Sequence, residues 1–163
     1  QFAPHDKLVQ QAYDPRGDED FAVVLTLVNT DKVWAEPARF TAQSFEKLGL
    51  PAYVYLFSYV ADGNKDQFKV GAPHMTEIPF VFGNLNTVGV DHISKSDRAM
   101  SQQIQAYWVN FARTGNPNAH DLVEWPRYSA ASDMIMEFTR DGASKAYRDT
   151  RSTRLNAMEK VDQ

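Results

Sequence analysis

Cysteine is absent from this sequence, which excludes disulfides and thiolate metal ligands together and leaves the redox compartment open. An excess of positive charge is also missing. Lys and Arg total 17 against 21 Asp and Glu, for a formal net charge of -4 and a pI near 5.5. Neither nucleic acid nor an anionic membrane is therefore expected as a partner. Long apolar runs are lacking too, since none approaches the ~18 residues that a membrane span requires. No Asn-x-Ser/Thr glycosylation sequon, internal repeat or low-complexity tract occurs. What is present, 163 residues of which 43% are hydrophobic and 23% charged, has the make-up of one ordinary soluble domain. The chain starts at Gln1 and shows no signal-peptide pattern, so the expectation is a processed chain or a piece of something longer.

Proline and glycine act as punctuation between patterned segments. The turn-rich "YDPRGDED" (13–20) separates a short helical opening from the apolar run "FAVVLTLV" (21–28). That run is β-branched enough for a strand, but its length is equally compatible with a buried helix. Residues 33–48 predict a helix with Pro37 near its first turn, an apolar stripe of Trp34, Ala38, Ala42, Phe45 and Leu48, and Gly49 as a stop. "PAYVYLFSYV" (51–60) is apolar or aromatic at nearly every position, the pattern of a strand buried on both faces. Ser94 and Ser96 can cap a long helix reaching about Arg113, striped by Met100, Ile104, Tyr107, Trp108 and Phe111 and ended by "TGNPN". A short strand is predicted over 134–139 and a charged helix over 150–161. Helices alternating with doubly buried strands predict an α/β layered fold.

His74 follows the 51–60 strand, in the kind of loop where such folds place their chemistry. Imidazole, with an unperturbed pKa of roughly 6.5, suits proton transfer near neutral pH, although a hydrogen-bonded loop histidine explains the position equally simply. A general base needs something to deprotonate. The nine serines are Ser44, Ser58, Ser94, Ser96, Ser101, Ser129, Ser132, Ser144 and Ser152, and none lies in a G-x-S-x-G elbow.

"GAPHMTEIPFVFG" (71–83) resembles the catalytic-histidine segment of the type-B carboxylesterases, the cholinesterase-like branch of the α/β-hydrolases. "AYWVNFARTGNPN" (106–118), "WPRY" (125–128) and "MIMEF" (134–138) follow in that family's order, and residues 30–60 resemble its aspartate, helix and strand leading to the histidine. The resemblance implies the C-terminal part of one α/β-hydrolase domain over residues 1–163, with a mostly parallel sheet covered by helices on both faces. It implies a serine esterase that forms an acyl-enzyme, needs no cofactor or metal, and uses His74 as the triad histidine. The family's order places the serine and the acid upstream, the acid by roughly a hundred residues. Only 73 residues precede His74. A companion polypeptide is thus expected to carry the serine and the acid, and neither Asp31 nor Glu36 is taken as the triad acid. The substrate that the resemblance implies is a small-molecule ester.

Where the family commonly has Gly or Ala after the histidine, this chain has Met75, which with Thr76 is a candidate for the substrate pocket. Glu77 matches a family glutamate and is a candidate loop support or a solvated carboxylate. Asp31 matches a family aspartate but is better read as an N-cap for the helix that follows. His5, His92 and His120 sit in polar, turn-rich surroundings and are expected at the surface. Tyr107, Trp108 and Phe111 are expected in the core. Arg148, Arg151, Arg154 and Lys160, with Asp149 and Glu159, are expected to form a solvated face. Members of the same superfamily also serve adhesion, so the competing expectation is a catalytically inactive interaction module. The histidine at position 74 favours the enzyme.

Overall fold

The structure is a computed structural model that describes residues 4–161. These fall into two compact units, one of residues 4–54, 128–133 and 148–161, the other of Tyr55–Arg127 and Met134–Tyr147.

The first unit is built on one long helical run. Helix α2 (Phe21–Thr30) starts at Asp20, whose carboxylate accepts from the amides of Ala22 and Val23. That cap, together with burial at helical rather than alternating spacing, decides the open question over 21–28 in favour of a helix. Val24, Leu27 and Val28 pack on Val9 and Tyr13 of α1 (Asp6–Tyr13) and on Met158 of α6 (Ser152–Val161). A π turn, Asp31–Ala35, joins α2 to α3 (Glu36–Lys47), which Gly49 ends at φ +74°. The helix predicted from 33 onward is therefore the second half of a longer one.

Three expectations fail within this unit, each because charged or polar side chains are buried and paired there. Of the stripe predicted on α3 only Ala42 is buried: Trp34, Ala38, Phe45 and Leu48 are exposed, and Glu36 and Arg39 complete the buried face. Arg39 donates from Nη1 to Asn156 at 2.7 Å and pairs through Nη2 with Glu159 at 3.3 Å. Asp31 caps no helix start. It lies in the π turn, 1% exposed, accepting from the Tyr13 hydroxyl at 3.0 Å with Arg154 Nε at 3.0 Å. The charged C-terminal face is likewise not simply solvated. Arg151 forks onto Asp149 at 2.7 and 2.9 Å, and that carboxylate is buried.

The second unit holds a three-stranded sheet in the order β1 (Tyr55–Phe57), β2 (Met134–Phe138), β3 (Ser144–Arg148). β1 and β2 are parallel, with Tyr55 opposite Met136 and Phe57 opposite Phe138. The strand expected over 51–60 is thus much shorter. It is also not buried on both faces: Tyr55 is 36% exposed and Leu56 and Phe57 are half-buried, because among the described residues β1 has β2 alone as a strand neighbour. Helix α5 (Lys95–Thr114) matches its prediction closely. Ser94 caps it in a reciprocal box with Asp97, and Gly115 closes it in the left-handed region. Met100, Ile104 and Tyr107 are buried and Trp108 half-buried. Phe111, expected in the core, is 47% exposed, one turn beyond the cluster in which Tyr55, Tyr107, Trp108, Trp125 and Phe138 stack edge to face.

Candidate active site

The loop carrying His74 is held from below by α5. Phe80, in the single-turn helix α4 (Ile78–Val81), is 1% exposed and packs its ring on Phe57 and Tyr59 at centroid distances of 5.6 and 5.4 Å. Its carbonyl accepts from the Ser101 hydroxyl at 2.8 Å. One turn earlier, the Glu77 carbonyl receives the amides of Phe80 and Val81, both at 3.0 Å. Residues 73–76 close a tight turn, in which the Pro73 carbonyl accepts the Thr76 amide at 3.3 Å and its hydroxyl at 2.7 Å. Such a turn needs a left-handed residue, and Met75 supplies it at φ +69°. Glycine adopts this conformation without penalty, whereas Met75 carries its cost.

His74 is exposed on this turn. With Met75 and Thr76 it lines a cavity of about 380 Å³, whose other walls include Tyr59, Asn64, Phe68 and Val88. The structure thus brings three of the four sequence-predicted residues to one hollow. Glu77 lies outside that lining. Its carboxylate faces the Tyr55 phenol, whose pKa is raised first by burial and then by this charge.

Sequence reasoning missed the polar frame of this hollow. Asp97, fully buried, accepts on Oδ1 from the Tyr59 hydroxyl at 2.8 Å and the Asp62 amide at 3.1 Å, and on Oδ2 from the Ser94 amide at 2.9 Å. The Ser-x-x-Asp spacing before an apolar run was its available signal. Asn64 donates to the Val88 carbonyl at 3.1 Å, a contact with no local signature. His120 is exposed beside Asp121, and His92 is exposed as well. Among the described residues no group of three or more His, Asp or Glu could hold a metal ion, and no helix is long and apolar enough to cross a membrane.

A histidine-bearing loop after a parallel strand, in a sheet with helices packed around it, is the arrangement of an α/β-hydrolase, here in part. The carboxylesterase family profile matches residues 6–158, and the chain belongs to that family. Carboxylesterase 4A of Bos taurus is 45% identical over 82 residues, which are 50% of this chain and 14% of that protein. Neuroligin-3 of Homo sapiens is 35% identical over 98 residues, 58% of this chain and 12% of that protein. A crystal structure of a Geobacillus stearothermophilus carboxylesterase at pH 6.2 superposes with a TM-score of 0.74 at 26% identity, covering 93% of this chain and 31% of that one. The chain therefore spans well under a third of the curated relatives named here and just under a third of that solved structure.

Proposed function

We propose that this chain is the C-terminal portion of an α/β-hydrolase domain and supplies the general base, His74, of a carboxylic ester hydrolase whose nucleophilic serine and acid lie on polypeptide outside these residues. The observation that carries the proposal is the exposed imidazole on a tight turn that also forms the wall of a ligand-sized cavity. Family membership supports the chemistry.

In the proposed cycle the serine hydroxyl attacks the ester carbonyl and gives its proton to His74. The tetrahedral intermediate collapses, the imidazolium protonates the departing alcohol, and an acyl-enzyme remains. Water then attacks the acyl carbon while His74 takes its proton, and collapse of the second intermediate returns that proton to the serine oxygen. The external acid holds the other ring nitrogen and fixes the tautomer. Met75 and Thr76 line the substrate cavity, and Glu77 supports the turn through its carbonyl. The cycle uses no metal or cofactor.

A second reading, an interaction module without turnover, has only weak support in the similarity to neuroligin-3. One experiment separates them. In the complete hydrolase, His74→Ala should lower kcat/KM for a simple ester by orders of magnitude with the thermal transition nearly unchanged, and retention of more than about a tenth of the wild-type value would reject the assignment. Absence of turnover in the unaltered protein, when a G-x-S-x-G serine is also absent from the companion sequence, would favour the interaction module.

A further inference from the structure

We propose that Arg140 is a positioning residue for the Gln67–Phe68 wall of the cavity that His74 lines, and so limits the bulk of the uncharged substrate group accepted there; the substrate part of this inference rests on the ester-hydrolase reading above. Between β1 and the histidine turn, regular structure is confined to the 3₁₀ turn Asp62–Asn64. Side-chain contacts must therefore hold this segment in place. Its first half is tied to α5, through the two bonds that Asp97 receives from Tyr59 and Asp62. Its second half is tied to the turn between β2 and β3. Half-buried Arg140 donates from Nη1 to the Phe68 carbonyl at 2.8 Å and from Nη2 to the Lys65 carbonyl at 3.0 Å. One planar fork thus spans two carbonyls three positions apart, a geometry that a lysine ammonium does not reproduce.

Gln67 and Phe68, which these bonds bracket, both line the cavity. No carboxylate, ammonium or guanidinium lines it among the described residues. The nearby Lys65 ammonium is engaged by Asp62 at 2.6 Å and sits 5.8 Å from the centre of the Tyr59 ring. A hollow with amide, hydroxyl and apolar walls suits a neutral group, because a charged one would be desolvated without a partner. The histidine turn is anchored separately, through Pro73, Phe80 and Ser101. Loosening the Gln67–Phe68 wall should alter how large groups fit while leaving proton transfer on small esters intact.

The test compares Arg140→Ala and Arg140→Lys in the complete hydrolase. Hydrogen exchange at the Gln67 and Phe68 amides, both bonded to the Asn64 carbonyl, should rise about tenfold or more in Arg140→Ala and by less in Arg140→Lys, with the α5 amides unchanged. The ratio of kcat/KM for a bulky neutral ester to that for an acetate ester should shift by about tenfold, mainly through KM. For the acetate ester, kcat should stay within about twofold of wild type. Unchanged exchange at 67 and 68, or an equal loss for both esters carried in kcat, would overturn the proposal. Should Arg140→Ala fail to fold, Phe68→Ala removes the wall's ring directly and must shift the same ratio. Exchange reports the clamp without turnover, so an inactive wild-type protein would refute the ester reading and leave the positioning role to be judged on exchange.

Discussion

Met75 separates backbone from side-chain effects within one residue. A non-glycine residue in the left-handed region costs about 1–2 kcal/mol, and glycine returns roughly 0.5–1 kcal/mol of that in unfolded-state entropy. Met75→Gly should therefore be neutral to about 1 kcal/mol stabilising in urea unfolding, whereas Met75→Ala, which keeps the strained φ, should show no gain. If the side chain also lines the substrate cavity, both variants should change the preference between short and bulky esters by about 1–3 kcal/mol. A gain from alanine equal to that from glycine would contradict the backbone argument. The buried carboxylates test the electrostatics at the same scale. Burial acts to raise the Asp149 pKa, but the Arg151 fork and the charge of Arg39 outweigh it and hold the group below its ordinary value. A depressed folded pKa contributes stability above the unfolded value of about 3.9 and loses it as pH falls through the folded one. Stability should thus decline below about pH 4, and Arg151→Gln should cost about 1.5–3 kcal/mol at neutral pH and flatten that acid limb. Asp31 works in the opposite sense. Burial outweighs Arg154 and Tyr13, so its raised pKa makes its contribution fall as pH rises above the unfolded value. A steep acid limb surviving in Arg151→Gln would show that other groups set it.

Elements were legible where their signals are local. Helix α5 carries its start in Ser94 and Asp97, its buried stripe in Met100, Ile104 and Tyr107, and its stop in Gly115. Ser94→Ala removes the cap to the Asp97 amide and should cost about 1 kcal/mol, read as a lower midpoint in urea with an unchanged slope. A loss well above 2 kcal/mol would mean that the bonds around Asp97 fail together with the cap. Elements were misread where the deciding partner lies far along the chain. Periodicity marked an apolar stripe on α3, but the face that packs inward is chosen by Arg39, whose partners Asn156 and Glu159 belong to α6. Composition marked a doubly buried strand over 51–60, but such burial needs neighbours on both sides, and β1 pairs with β2 alone among the described residues. The histidine turn was legible as a motif. The left-handed Met75 and the Arg140 clamp were not, since a turn's φ and a fork onto two distant carbonyls leave no periodic trace in sequence.

In the complete enzyme as proposed, one catalytic machine is divided between this chain and polypeptide beyond it. Apolar surface on the first unit fits that division, with Phe21, Trp34, Phe40 and Leu48 all more than half exposed. In the second unit β1 is an edge strand among the described residues, a position suited to pairing with a further strand. In the proposed enzyme His74 takes its proton from a serine on that other polypeptide. That proton transfer can be measured without turnover, by reacting the complete hydrolase with a fluorophosphonate ester and mapping and timing the labelled residue. One rapidly labelled serine is expected outside residues 1–163, in a G-x-S-x-G context, with a labelling rate that falls by about a thousandfold or more in His74→Ala. Labelling on one of the nine serines of this chain, or a rate in His74→Ala within about tenfold of the unaltered enzyme, would contradict that expectation.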